Sequence, residues 1–300
     1  MSRSQWLLLI ALSVLWGGSF FFVGVAVKEL PVFTIVLVRV ALAAALLLPV
    51  VLLMGLQLPR TPREWLPFAG MSVLNNVLPF CFIVMGQKTV ASGIASVLNA
   101  TTPLFAILAA HVFSDEKLSA RKLAGVLLGI VGVAILIGVQ RLDLGDATLA
   151  GIIFCLLGPL SYGLAGQWGR RLRGTPPLVS ATGQLMVSTL ILGVLAAIID
   201  QPWTLPWPST QTVLALAGLA ALSTSLAYVI FFRILTVSGP TNVMLTTLLI
   251  PITGIGLGVS VLGEVLETRH IAGALVIGLA LLVIDGRMFS RPRLPVRRDV

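Results

Sequence analysis

The chain has 300 residues, 57% of them hydrophobic and 10% charged, with a mean hydropathy of +1.05 and a net charge of +9. No soluble core absorbs that much apolar surface, so a water-soluble globular domain is excluded. The charges sit in short clusters between apolar runs, a pattern that concerns membrane orientation and argues against a nucleic-acid partner.

Apolar runs of about 20 residues match the ~30 Å of hydrocarbon a helix must cross. Ten spans follow in order: Gln5–Val27, Val32–Met54, Trp65–Gly86, Ala91–Phe113, Ala120–Val139, Ala147–Trp168, Leu178–Ile199, Thr212–Leu235, Thr241–Leu262 and His270–Ile284. Arg3 precedes the first run as in a signal peptide, but no small-residue cleavage site follows, so an uncleaved first helix is expected. Cys81 and Cys155 fall inside apolar runs and read as free, buried thiols. Two Cys and two His (His111, His270) without motif spacing give no metal site, and no cofactor motif is present.

Fifteen Lys and Arg, with Arg269 counted among them, fall on one side of the membrane. Four, with Arg233 among them, fall on the other. This excess places both termini in the cytoplasm. Trp203 and Trp207 lie in the longest outer loop, where an aromatic belt is expected.

The stretch Ala91–Leu127 recurs 148 residues later as Gly239–Leu275. Pro103 falls on Pro251, Glu116 on Glu264, Arg121 on Arg269 and Gly125 on Gly273. At nearly the same offset Trp16-Gly17 lies over Tyr162-Gly163, and Arg39 falls close to Gln184. Each half thus holds five spans. Because five is odd, the second half enters the membrane the opposite way up. The expected fold is an all-α membrane protein of ten transmembrane helices, two inverted five-helix repeats around a central cavity. Residues 1–140 form the first repeat, 141–287 the second, and 288–300 a basic cytoplasmic tail.

This five-plus-five plan resembles the drug/metabolite transporter superfamily, and within it the EamA-type exporters. The likeness rests on WGGSF in the first span, Arg39 in the second, and a Pro-then-Glu pattern closing the fourth and ninth. It implies a basket of ten helices whose cavity opens alternately to each side, and export or exchange of small metabolites, often amino acids.

The residues independently indicate which helices line a pathway, since polar groups avoid lipid unless something satisfies them. Mid-span polarity marks helices 1, 3, 4, 6, 8 and 9, with 5 and 10 outside as buttresses. Candidate substrate contacts are Trp16, Arg39, Asn76, Phe80, Asn99, Tyr162, Thr224, Tyr228 and Thr247. Each has a structural alternative. Ser and Thr, including Thr101, Thr246 and Ser225, bond their own helix carbonyls. Asn glues helices together, and Trp16 and Tyr162 act as packing wedges.

Arg39 lies about 12 Å below Pro31 at 1.5 Å per residue. It neutralises a substrate carboxylate or is locked by carbonyls and amides. Pro103 and Pro251 free carbonyls near the midplane and are candidate gating hinges. Glu116 and Glu264, each five residues before an Arg, are expected at cytoplasmic helix ends, closing the turn with that Arg or forming an inner gate. The glycines of GVLLGIVG and GIGLG mark close helix approach, within one chain or between two; a homodimer is left open.

The functional reading is a secondary transporter, not an enzyme, in a bacterial inner membrane. Its partners are the bilayer and a small-molecule substrate such as an amino acid or related compound. A membrane-embedded lipid or isoprenoid enzyme would need a carboxylate cluster, metal set or nucleophile–base pair, none of which is found. A non-transporting structural subunit would not need paired midplane prolines. No Walker loop supports ATP drive.

Overall fold

The computed structural model describes residues 2–114, 116–138, 147–238, 243 and 245–285. Asp115, the 139–146 connection, the start of the ninth span and the basic tail lie outside the described residues.

Ten apolar helices cross the molecule. They are α1 (Arg3–Ala26), α2 (Val32–Leu53), α3 (Pro62–Gly86), α4 (Ser92–Phe113), α5 (Ala120–Ile137), α6 (Ala147–Leu172), α7 (Pro177–Asp200), α8 (Thr210–Val237), α9 (Leu245–Leu262) and α10 (Thr268–Asp285). Within hydrocarbon only intra-helical pairing satisfies every backbone group, so each apolar run becomes a helix. Local signals set the starts. Ser2 closes a capping box with Gln5, Ser119 and Ser209 accept from the N–H groups of Lys122 and Thr212, and prolines open α3 and α7.

The face on which α1 begins is called here the near face, and the opposite one the far face. Strict alternation brings the end of α10 back to the near face. Contacts between distant segments agree. The end of α9 meets the start of α4 on the far face, and Asp200 at the end of α7 meets Thr34 at the start of α2.

The inverted repeat is visible in its tightest contacts. A Cβ placed on Gly17 would sit 2.6 Å from that of Thr253, where α1 crosses α9. Its counterpart Gly163 lies equally close to the backbone of Phe105, where α6 crosses α4. Gly70 takes the Trp168 ring against it, and Gly218 takes Phe22. Gly125 lies on Ile284 and Ala280, while Gly273 lies on Leu136 and Gly132. Each pair of contacts maps onto the other by the sequence offset.

The last of these contacts joins α5 to α10, the most extensive helix pairing in the molecule. The GVLLGIVG glycines therefore serve an approach within one chain. Two buried clusters flank the centre. One joins α1, α2, α3, α7 and α8; the other joins α1, α3, α4, α6 and α9 to the α5/α10 pair.

A Cβ placed on Gly132 would meet Ile277 Cγ1 at 2.8 Å and two backbone atoms that cannot swing aside, Ile277 N at 2.9 Å and Gly273 O at 3.1 Å. Gly132→Leu is expected to cost about 1–3 kcal/mol or more of stability. Gly256→Leu, at a site facing open space, is expected to be neutral. Thermal unfolding of both purified variants in detergent checks the contrast.

Candidate functional site

A cavity of about 340 Å³ lies between the two halves. It runs from Gln87, at the far end of α3, to Ser180, one turn from the near-face start of α7. Of the nine expected contacts, Trp16, Arg39, Phe80, Asn99, Tyr162, Thr224, Tyr228 and Thr247 line it.

Asn76 does not. It is fully buried one layer behind, donating to Ser188 Oγ at 3.1 Å and accepting from the Tyr228 hydroxyl at 3.2 Å. The cavity residue is its neighbour Asn75, which donates to Gln184 Oε1 at 2.9 Å and to the Tyr228 hydroxyl at 3.2 Å. The reason is local: α3 runs as a π-helix over Val73–Val77, and that wider turn rotates the side chains after it. A matching π-helical stretch, Ala221–Leu226, occupies the equivalent place in α8.

Helices α2 and α7 also reach the cavity, through Arg39 and through Ser180 and Gln184, so eight spans line it instead of six. Gln184, absent from the expected contacts, was detectable as the repeat partner of Arg39. α5 and α10 contribute no lining residue, as expected of buttresses.

Arg39 is held without a carboxylate. Its Nε donates to Thr224 Oγ1 at 3.0 Å, and its guanidinium carbon lies 3.5 Å from the centroid of the Phe80 ring. Thr224 in turn donates to Leu219 O, the carbonyl five residues back that the π-turn exposes. One wall is a relay of rings. Trp16 and Phe231 have centroids 5.4 Å apart, Phe231 and Phe232 meet edge-on at 5.1 Å, and Phe232 stacks on Tyr228 at 6.0 Å. Thr101 and Ser225 bond their own helix carbonyls; the Thr246 hydroxyl is buried without a partner among the described residues.

The two prolines differ in geometry. Before Pro103, α4 is interrupted at Ala100–Thr101, and the Asn99 carbonyl accepts the Thr102 hydroxyl at 2.7 Å in place of the missing N–H. Pro251 sits inside an uninterrupted helix.

The two glutamates are not both at the same face. Glu116 follows the near-face end of α4. Glu264 follows the far-face end of α9, because the second repeat is inverted. The same parity moves Arg269 to the far face and Arg233 toward the near one, an exchange that leaves the fifteen-to-four count unchanged.

Neither glutamate pairs with the Arg five residues on. Glu116 is half-exposed and sits 3.6 Å from Lys122 and from Arg170. Arg269 binds Glu267 and the Ile137 carbonyl. Glu264 instead caps the start of α4, accepting from Ser92 N at 2.6 Å and Gly93 N at 3.0 Å. The chain turns back to do so at Gly263 (φ +68°), with Glu264 N bonding Gly258 O.

Two more carboxylates act alike on the far face. Asp200 accepts from Thr34 N and Oγ1 at 2.7 and 3.0 Å; Glu29 accepts from Ser209 N and Oγ at 2.7 and 2.6 Å. Those Ser209 donors hold the Glu29 carboxyl below the usual carboxylate range. The Glu29 clamp is therefore intact at neutral pH and is lost only as pH falls through that lowered pKa.

Ten crossing helices, an inverted repeat and a polar cavity at the repeat interface are the plan of a membrane transporter. The EamA-like transporter family model matches residues 4–138 and again 149–285. The chain belongs to that family.

Among its relatives is a Bacillus subtilis (strain 168) protein called uncharacterized transporter YoaV, 23% identical over 90% of this chain and 92% of its own length. The Escherichia coli (strain K12) uncharacterized inner membrane transporter YedA is 25% identical over 96% of this chain and 92% of its own. A Salmonella typhimurium protein named probable amino-acid metabolite efflux pump is 25% identical over 94% and 95%. A solved crystal structure superposes with a TM-score of 0.67 over 97% of this chain and 100% of its own, at 18% identity.

Asn76→Ala is expected to lower stability by about 1–2 kcal/mol, since it strips partners from Ser188 and Tyr228 inside the bundle. Asn75→Ala, at the cavity wall, is expected to reduce transport with a smaller loss of thermal midpoint. Paired melting curves and flux measurements separate the two.

Proposed function

We propose that the chain is a secondary transporter that moves a small organic metabolite, such as an amino acid or related compound, out of the cell or in exchange, by alternating access. The observation that carries this reading is the cavity between the repeats, which runs from Gln87 at the far end of α3 to Ser180, within a turn of the near face. The relatives named as transporters and as an efflux pump support it.

In this scheme the near face is cytoplasmic and the two repeats, residues 1–140 and 141–287, tilt against each other. Trp16, Arg39, Asn99, Tyr162, Thr224, Tyr228 and Thr247 contact the substrate, with Phe80 backing Arg39. The break before Pro103 lets the halves of α4 tilt separately, with Pro251 as its counterpart in α9. Glu264 holds the far gate, and Glu116 takes part at the near one. Counterflow of labelled metabolites into proteoliposomes, against empty liposomes, tests the activity itself.

Orientation has its own test. A single cysteine at Thr175 should be shielded from impermeant thiol reagents in intact cells, and one at Ser209 labelled. The native Cys81 and Cys155 are buried. Labelling of Thr175 from outside would reverse the assignment.

The energy source follows from where the acids are. Proton-coupled carriers rely on an embedded carboxylate that binds and releases protons near neutral pH. Among the described residues no Asp or Glu lines the cavity. Glu264 is engaged by the Ser92 and Gly93 backbone N–H groups and does not line the cavity. The expected mechanism is facilitation or exchange along the substrate's own gradient. Uptake should persist without an imposed pH gradient, in wild type and in the Glu116→Gln, Glu264→Gln double variant. Concentrative uptake that needs the gradient and vanishes in the double variant would make those glutamates the coupling site.

A further inference from the structure

Arg39 presents an unfinished piece of electrostatics. It is only 8% exposed, yet it lines the cavity. Its Nε is spent on Thr224 and its face on Phe80. Among the described residues neither Nη group has a protein acceptor, and no carboxylate shares the cavity wall. A buried guanidinium is costly unless paired, and its planar fork matches a carboxylate through two parallel hydrogen bonds.

The remaining walls add shape. Both tyrosines of the chain, Trp16 and four phenylalanines border the same space. The relay from Trp16 through Phe231 and Phe232 to Tyr228 forms a continuous aromatic surface.

We propose that the cavity recognises a flat organic anion, an aromatic monocarboxylate, with its carboxylate on the free Nη groups of Arg39 and its ring against the aromatic wall. This rests on the transporter reading and names the substrate class for that same site. A cation is disfavoured twice over. Arg39 repels it, and the Phe80 face that would attract it is already covered.

A zwitterion is an intermediate case. Its carboxylate finds Arg39, but its ammonium finds no carboxylate, and the burial of that second charge goes uncompensated. What the cavity does offer a distal group is neutral. Asn99 and Gln87 line it, and their side-chain oxygens, buried behind that surface, have no donor among the described residues; a small rotation would offer them to a phenol hydroxyl or an amide N–H.

The test uses four probes with one ring and different charge: 4-hydroxyphenylacetate, its amide, tyramine and tyrosine. Counterflow into proteoliposomes holding the full-length protein is compared with empty liposomes and with the Arg39→Gln and Arg39→Lys variants. The expected order is the anion first, tyrosine at least several-fold slower, and the amide and tyramine at background. Arg39→Gln should lower anion flux at least tenfold, and Arg39→Lys should restore part of it. Monodisperse elution and an unshifted melting point certify each variant as folded. Should Arg39→Gln fail that check, the probe order on wild type alone decides.

Tyramine or the amide carried as fast as the anion would overturn the proposal, as would an anion preference unchanged in both variants. If none of the four is carried but a mixed pool of labelled metabolites is, the substrate class is wrong and the transporter reading stands. If nothing is carried above empty liposomes, the transporter reading itself falls, and this inference with it.

Discussion

The architecture depends on close backbone approach. In lipid there is no hydrophobic drive between helices, so dispersion contacts and hydrogen bonds must hold the bundle, and both weaken quickly with distance. Glycine is what lets the helices come near enough. Gly17 against Thr253 and Gly163 against Phe105 fix the crossings that join the halves. Gly125 and Gly273 do the same for the outer α5/α10 pair. These sites obey the pseudo-two-fold relation although their partners differ in chemistry. What is duplicated is the space, and the side chains that fill it have diverged. That divergence permits a cavity whose two walls are chemically unequal: Arg39 from one repeat and Gln184 from the other.

α3 and α8, which both line the cavity, each widen into a π-helix at mid-span. An extra residue in a turn leaves carbonyls without their usual N–H and turns polar side chains toward the gap. In α8 the Leu219 and Ala220 carbonyls accept from the Thr224 and Ser225 hydroxyls. Thr224 so fixed can accept from Arg39. In α3 the same widening sends Asn75 to the cavity and Asn76 into the wall, where Gln184, Ser188 and Tyr228 satisfy it. The same backbone irregularity thus recurs in both repeats beside the cavity, together with the polar groups it orients.

Much of this was legible in the sequence, and the failures have physical causes. Hydropathy and repeat alignment reveal the ten helices, their inversion and the buttress role of α5 and α10, because lipid imposes length and polarity on every span. Eight of the nine candidate contacts border the cavity, most of them marked by mid-span polar or aromatic residues. Asn76 is misplaced because a linear reading assumes a regular helix, and a π-turn shifts the register by about 100° per extra residue. Glu264 is assigned to the wrong face because matched residues in an inverted repeat share a sequence position but sit at opposite ends of the membrane. The Glu–Arg spacing misleads for a related reason: five residues across a turn do not determine direction, and the α4 amides lie nearer to Glu264 than Arg269 does.

The inequality between Glu116 and Glu264 is what the proposed alternating-access mechanism requires. A molecule with perfect two-fold symmetry about an in-plane axis would present the same gate, equally open, to both sides, and would be a channel or a sealed shell. A carrier open to one side must break that symmetry in its conformation while keeping it in its sequence. Here the far-face glutamate lies on two backbone amides of α4, and the near-face glutamate holds only 3.6 Å ion pairs at the surface. Pro103 interrupts α4, whereas Pro251 leaves α9 whole. On the alternating-access mechanism proposed above, two equivalent residues in two different states describe one half of a cycle, and the other half exchanges those states between the repeats.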